Sequence, residues 1–257
     1  MSKVPMARLD RLLANLGYGS RREVNALVRA GGVVLDGVTL KDAGAKVPIV
    51  RELPTRLTIS GVAVDPPAPF TLIMHKPLGV VCSHREAGRS VYELLPTRWR
   101  ARMPGLSTIG RLDKDTSGLL LITDDGDLLH RVISPRAHVA KRYLATLDRP
   151  MTGEEGAIFA AGDLMLDSED TPLAPAELEV ISPTEAALTI IEGRYHQVRR
   201  MFAAVGNHVT ALHRDRIGGL QLPADLAAGE WRVLDEAGGA AIFTQASGRG
   251  ATDPAHP

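Results

Sequence analysis

Residues 110–126 read GRLDKDTSGLLLITDDG, a polar loop that leads directly into an apolar segment. The carboxylate of Asp113 lies in this loop, between the cationic residues Arg111 and Lys114. Residues 119–123 have the composition of a buried strand, and a buried strand would hold the loop in place. The stretch therefore predicts a fixed carboxylate at the edge of a packed sheet.

Short apolar runs and helical patterns alternate along the chain on both sides of this segment. We predict strands over 70–74, 119–123, 142–147 and 187–191, and helices over 127–133, 153–161 and 196–205. This mixture is typical of an α+β domain.

The first residues have a different pattern, which predicts a small separate module. Leucines at helical spacing indicate a helix over 7–16, and Ser20 with Glu23 forms the capping box of a second helix that ends at Gly31. A hairpin turn at Asp36 and Gly37 follows.

A proline-rich stretch at 66–69 is typical of a linker, so we place a domain boundary near residue 67. The expected domains are 1–66 and 67–243. The Gly, Ala, Ser and Pro-rich residues 244–257 are predicted to be disordered.

Composition excludes several classes of protein. The 257 residues are 44% apolar, which is enough for a core, and the single cysteine, Cys82, cannot form an internal disulfide. No apolar run reaches the roughly 18 residues of a membrane span, and a signal-peptide pattern is missing, so we expect a cytoplasmic protein. The histidines lack the spacing of a helical zinc site, and no nucleophile elbow is found, so we expect neither a metal nor acyl transfer.

The net charge of zero conceals a strong segregation of charge. Residues 1–46 carry eight Lys or Arg against four acids, and residues 194–216 carry five Arg against Asp215 alone. Ten acidic residues and no Lys or Arg lie between Arg149 and Arg194. We expect the basic segments to follow phosphates and the acidic one to be a solvated face.

Several residues are candidates for chemistry, each with a simpler alternative. Asp113 is either a reactive acid or a turn former, and Asp115 is its rival. Tyr143 is either a site residue or core packing. The segment GRYHQVRRM at 193–201 provides His196 and Arg199, which are either site residues or part of a solvated helix face.

Taken together, these motifs resemble those of the pseudouridine synthases, in the branch that includes the small-subunit ribosomal RNA enzyme. The segment from Arg8 to Gly37 resembles an S4-type RNA-binding module. HKPLGVVCS, GRLDKDTSGLLLITDDG, KRYLATL and GRYHQVRRM resemble successive motifs of the catalytic domain. The resemblance implies a mixed, largely antiparallel sheet with flanking helices.

The same resemblance implies a reaction and its residues. The enzyme detaches uracil from ribose, turns it and rejoins it through C5, without a cofactor. Asp113 would be the catalytic carboxylate, acting at the ribose C1′, at the ring or through a glycal. Tyr143 would stack on the uracil and Arg199 would pair with Asp113. The substrate would also contact Arg111, His196 and an apolar side chain, either Leu188 or Ile190.

The implied partner is small-subunit ribosomal RNA or an assembly intermediate, with uridine 516 of 16S rRNA as the target, and we expect a monomer that binds no membrane. Two alternatives stay open: a synthase for a 23S rRNA uridine, and a non-catalytic ribosome-assembly factor. We expect RNA contacts from a set of basic residues: Arg8, Arg11, Arg21, Arg22, Arg29, Lys76, Arg136, Lys141 and Arg200.

Overall fold

The computed structural model describes residues 4–83 and 87–244. Within these ranges, no helix is both long enough and apolar enough to cross a membrane. The predicted disordered tail lies, except for Thr244, outside the described residues.

The N-terminal part consists of short helices and strands around its own core. Its elements are β1 (Met6–Arg8), α1 (Leu9–Asn15), α2 (Arg21–Arg29), β2 (Val33–Leu35), β3 (Val38–Thr39), β4 (Lys46–Pro48), α3 (Leu53–Arg56), β5 (Leu57–Ile59) and β6 (Val62–Ala63). The capping box forms as predicted, because the Ser20 hydroxyl accepts from the Glu23 amide and the Glu23 carboxylate accepts from the Ser20 amide. Asp36 and Gly37 have φ of 49° and 78°, the positive values that a tight hairpin turn requires.

The larger part is built on one sheet. Its elements are β7 (Thr71–Lys76), 3-10 turns at Val91–Leu94 and Thr97–Ala101, β8 (Ser107–Ile109), β9 (Thr116–Thr123), α4 (Gly126–Ile133), a 3-10 turn at Pro135–Ala137, β10 (Lys141–Leu147), α5 (Glu155–Ala161), β11 (Glu177–Ser182), β12 (Glu185–Ile190), α6 (Gln197–Ala204), β13 (Val209–Ile217), β14 (Leu220–Gln221), β15 (Trp231–Val233) and α7 (Glu236–Ala241). Each strand and helix predicted in this part is present, with ends shifted by a few residues.

The nine-stranded sheet has the order β11-β12-β10-β13-β9-β7-β15, with β14 on β13 and β8 on β9. The pair of β13 and β9 is parallel, and the other pairs described are antiparallel. Both faces are covered, because Leu120 and Ile122 of β9 pack into one apolar cluster while Leu119 and Leu121 pack into another. The mixed, largely antiparallel sheet and the α+β class are therefore as expected.

The two parts contact each other through polar groups near the linker. Asp65 accepts two hydrogen bonds from the Arg98 guanidinium, at 2.6 and 2.5 Å. Its backbone amide donates to the Tyr18 hydroxyl at 3.0 Å, and the Met103 amide donates to the carbonyl of Asn15 at 2.9 Å. These hydrogen bonds hold Asp65, the residue directly before the linker, and join the two parts of the chain.

Candidate active site

The loop that carries Asp113 is held by a buried lysine. Lys76, at the end of β7, has no solvent exposure, and burial lowers its pKa. Its ammonium donates to the carbonyls of Asp113, Thr116 and Pro77 at 3.0, 2.8 and 3.1 Å. The prediction that Lys76 contacts RNA is therefore wrong, because its charge is used inside the protein to fix the loop backbone.

A cavity of about 220 Å³ opens where this loop meets β10, β12, β13 and the start of α6. It joins distant parts of the sequence, and its lining includes Arg111, Asp113, Lys141, Tyr143, Ile190, Glu192, Arg194, His196 and Arg214. Among the described residues that line the cavity, four are Arg or Lys and two have carboxylates, and this excess of positive charge suits an anionic ligand. Six of the predicted residues thus meet at one site: Arg111, Asp113, Lys141, Tyr143, Ile190 and His196.

The carboxylate of Asp113 faces a histidine. His196 Nε2 lies 3.4 Å from Asp113 Oδ1, and the two side chains are 38% and 32% exposed. Both groups are therefore accessible from the cavity while staying within reach of each other.

Arg199 does not make the predicted pair with Asp113. Its guanidinium binds the carboxylate and the carbonyl of Asp115, both at 3.1 Å, and donates to the carbonyl of Val209 at 2.8 Å. His196, directly before α6, occupies the position next to the Asp113 carboxylate, and Arg199, in the first turn of α6, reaches Asp115 instead. Arg199 instead ties the loop to α6.

Tyr143 forms part of the cavity wall and is held by an arginine that the sequence motifs do not predict. Arg214 lies opposite Tyr143 on β13 and donates to its hydroxyl at 3.2 Å and to the carbonyl of Leu119 at 2.9 Å. Gly118 allows the backbone of Arg214 to pass close to β9, because an added Cβ at Gly118 would lie 2.2 Å from the Arg214 carbonyl oxygen. The alternation of side chains along a strand could have indicated this position, since Arg214 lies two residues after the buried Leu212 and therefore on the same face of β13.

The remaining substrate candidates divide clearly. Ile190 lines the cavity, whereas Leu188 is fully buried in the apolar cluster under the sheet and is absent from the described lining. Lys141 also lines the cavity. Burial, together with the nearby Arg214 guanidinium, lowers the pKa of Lys141 to about 8.

The acidic segment is more than the solvated face that we expected. Glu169 accepts from Arg194 at 3.1 Å and from Arg200 at 2.9 Å, and Arg194 also binds Glu192 at 3.3 Å. Arg200 further donates to the carbonyl of Tyr195 at 3.2 Å and to that of Asp167. The guanidinium of Arg200, a predicted RNA contact, is therefore engaged within the protein.

The predicted RNA contacts of the N-terminal part lie at the surface. Arg8 and Arg21 are 54% and 60% exposed, and both bind the buried carboxylate of Asp10, at 3.1 and 2.7 Å. These two guanidinium groups hold the pKa of Asp10 well below its usual range. Three other predicted contacts in this part are also exposed: Arg11, Arg22 and Arg29. In the larger part, the predicted contact Arg136 is exposed as well.

Known proteins share both parts of this architecture. A family model described as RNA pseudouridylate synthase matches residues 71–204, and one described as S4 domain matches residues 7–49. The ribosomal small subunit pseudouridine synthase A of Escherichia coli K12 is 44% identical over 238 residues, covering 89% of this chain and 96% of the relative. An uncharacterised RNA pseudouridine synthase of Bacillus subtilis is 41% identical over 232 residues, covering 89% and 95%.

A solved structure agrees with these matches. A crystal structure of a pseudouridylate synthase aligns with a TM-score of 0.64 and 34% identity, covering 91% of this chain and 99% of the other. The resemblance inferred from the motifs is confirmed. The chain therefore belongs to the RNA pseudouridine synthase family, whose members are isomerases, and it carries an S4 domain ahead of the synthase domain.

Proposed function

We propose that the protein isomerises one uridine of small-subunit ribosomal RNA, uridine 516 of 16S rRNA, and that it acts as a monomer. The relatives named as small-subunit enzymes support this choice of RNA, since they match almost the whole of both chains.

Asp113 is the catalytic carboxylate in this proposal. In the reaction the bond from C1′ to N1 breaks, a bond from C1′ to C5 forms, C5 loses its proton and N1 gains one. The conversion is redox-neutral, and uracil is both leaving group and acceptor, so a carboxylate suffices as nucleophile or base. The observation that carries the proposal is the position of Asp113 at the cavity, on a loop fixed by Lys76.

Attack at C1′, attack at the ring and formation of a glycal all place a carboxylate next to the glycosidic bond. The neighbouring groups suit each of these routes. The Tyr143 ring would stack on the uracil, and Ile190 would form an apolar contact with it, since both side chains line the cavity. Arg214 donates to the Tyr143 oxygen, so the phenolic hydrogen is directed away from Arg214. Arg199 acts indirectly, because it orders the loop through Asp115.

A cavity of this size accepts an unstacked nucleotide and not a duplex, so the target must be turned out of its stack. Unstacking costs a few kcal/mol, which contacts of the base and the phosphates must offset. Arg111, exposed at the cavity, is placed to hold the opened backbone. The exposed arginines of the S4 domain would bind flanking RNA.

Tritium release tests the proposal. Small-subunit and large-subunit RNA labelled with tritium at uridine C5 are incubated with the protein, and the modified position is then mapped in the product. We expect release from small-subunit RNA alone, with pseudouridine at position 516. Release only from large-subunit RNA would redirect the activity to a 23S uridine, and no release from free RNA or assembly intermediates would favour a non-catalytic assembly factor.

A further inference from the structure

An exposed aromatic side chain lies beside the cavity without a role in the proposed chemistry. Tyr195 is 72% exposed, the largest value among the large apolar side chains that the structure describes. The chain is poor in aromatic residues, at 4%, and most of those described are buried or half-buried. Exposing a Tyr ring in such a protein forgoes the stabilisation that burial would provide.

One face of the Tyr195 ring is covered by His196. The ring centroids are 3.8 Å apart, with an angle of 18° between the planes. The other edge of His196 lies 3.4 Å from Asp113. His196 therefore contacts Tyr195 through its face and Asp113 through its edge, so that the stack lies next to the proposed catalytic carboxylate.

The backbone around this stack is held in a strained conformation. His196 has φ of 49°, in the left-handed region that residues with a Cβ seldom adopt. Arg200 donates to the Tyr195 carbonyl at 3.2 Å, and the Gln197 side chain accepts from the Arg194 amide at 2.9 Å. The ring is thus pre-ordered, which reduces the entropy cost of binding a partner on its open face.

The charge around the stack favours a nucleic acid as that partner. Arg111 is exposed at the same cavity, and Arg and Lys outnumber acids in its described lining. A flat aromatic face beside cations is the arrangement on which proteins stack unpaired bases.

We infer that Tyr195, backed by His196, is the stacking platform for the nucleobase next to the target uridine in the RNA chain. The inference rests on the proposed site at Asp113 but not on which ribosomal RNA is the substrate. When the target is turned out, its neighbour loses a stacking partner, and Tyr195 replaces that partner. Tyr195 would then contribute to affinity, with little dependence on the identity of the stacked base.

Fluorescence of 2-aminopurine tests the inference on any RNA fragment that the wild type isomerises. The probe replaces the nucleotide on the 5′ or the 3′ side of the target, in separate fragments. We expect binding to quench the probe on one side. Tyr195→Ala should lose this quenching and raise KM by about tenfold or more, whereas Tyr195→Phe should retain both properties. Val180→Ala, which truncates another exposed apolar residue of the same domain, is the matched control and should match the wild type.

A purely structural role of Tyr195 in holding His196 makes a different prediction. Tyr195→Ala would then lower kcat while KM and the probe signal stay as in the wild type, and that outcome would overturn the inference. Quenching on neither side would overturn it as well. A failure of the proposed function is recognised separately. If tritium is released only from large-subunit RNA, the proposed substrate is wrong, but the 2-aminopurine measurement can still be made on a fragment of that RNA.

Discussion

Lys76 illustrates how one buried charge organises the site. Three backbone carbonyls of two neighbouring segments converge on its ammonium, and one of them belongs to Asp113. These carbonyls would otherwise be buried with fewer donors, which costs free energy. Lys76 is a positioning residue, since it touches the backbone of Asp113 and not its carboxylate.

Replacement of Lys76 by Met should therefore affect stability and activity together. We expect the free energy of unfolding in urea to fall by about 2–4 kcal/mol, because the carbonyls lose their donor. We also expect kcat to fall by at least about tenfold, because the Asp113 loop is released. Lys114→Met, at the exposed residue next to Asp113, should change stability by less than about 0.5 kcal/mol. Equal stability of the two variants would contradict this role.

Lys141 predicts a pH dependence of substrate binding. Since its pKa is lowered to about 8, the amine is cationic at neutral pH and loses its charge as the pH rises through 8. We expect KM for RNA to increase by about tenfold between pH 7 and 9, the effect of one lost charge-assisted hydrogen bond. Lys141→Arg keeps its charge over this range and should flatten the profile. Parallel profiles for the two proteins would remove Lys141 from the interface.

Between β10 and α6, the chain uses its acidic segment to fix a basic turn. Glu169 bridges Arg194 and Arg200, which lie on either side of Tyr195 and His196. The hydrogen bond from Arg200 is the main cause of a lowered pKa of Glu169. Because the carboxyl pKa is lowered, the stabilisation from the bridge is fully present above the ordinary value of 4.5 and is lost as the pH falls from there through the lowered pKa.

Loss of this bridge should loosen the turn without unfolding the sheet. For Glu169→Gln we expect kcat/KM to fall by about tenfold near pH 7, because His196 is no longer held against Asp113. Asp170→Asn changes the adjacent exposed acid and is the matched control, for which we expect wild-type kinetics. Steady-state tritium release measures both variants. If Glu169→Gln kept the wild-type kcat/KM, the turn would not depend on the bridge.

The molecule as a whole combines an S4 domain that exposes several arginines with the cavity at which we propose that a base is modified. Asp10 holds Arg8 and Arg21 at the S4 surface, and the hydrogen bonds of Asp65 hold the linker between the two domains. Binding of flanking RNA and insertion of the target can therefore be separated by mutation.

The double variant Arg22→Ala, Arg29→Ala should weaken binding without affecting the chemical step. Each lost phosphate contact should reduce the slope of log K against log salt by about 0.7, the value for single strands. Filter binding over a range of salt measures the slope, and single-turnover tritium release at saturating RNA should match the wild type. An unchanged slope would show that these arginines do not contact phosphates.

Sequence patterns could predict most of the fold, because local periodicity and capping determine the elements. The capping box at Ser20 and the apolar run at 119–123 are such local signals. The partners of charged groups depend on strand order and helix phase, which the sequence does not display. For this reason the sequence and its resemblance predict an RNA contact for Lys76 and a pair of Arg199 with Asp113, and neither predicts the contact between Arg214 and Tyr143.

The decisive measurement is the single-turnover rate of tritium release for Asp113→Asn, on an RNA that the wild type converts. Asp115→Asn is the matched comparison, since Asp115 is the rival carboxylate of the same loop and binds Arg199. We predict that Asp113→Asn is slower than the wild type by about 10⁴-fold or more, and that Asp115→Asn is slower by about tenfold at most. A rate for Asp113→Asn within tenfold of the wild type would contradict the assignment of Asp113 as the catalytic carboxylate.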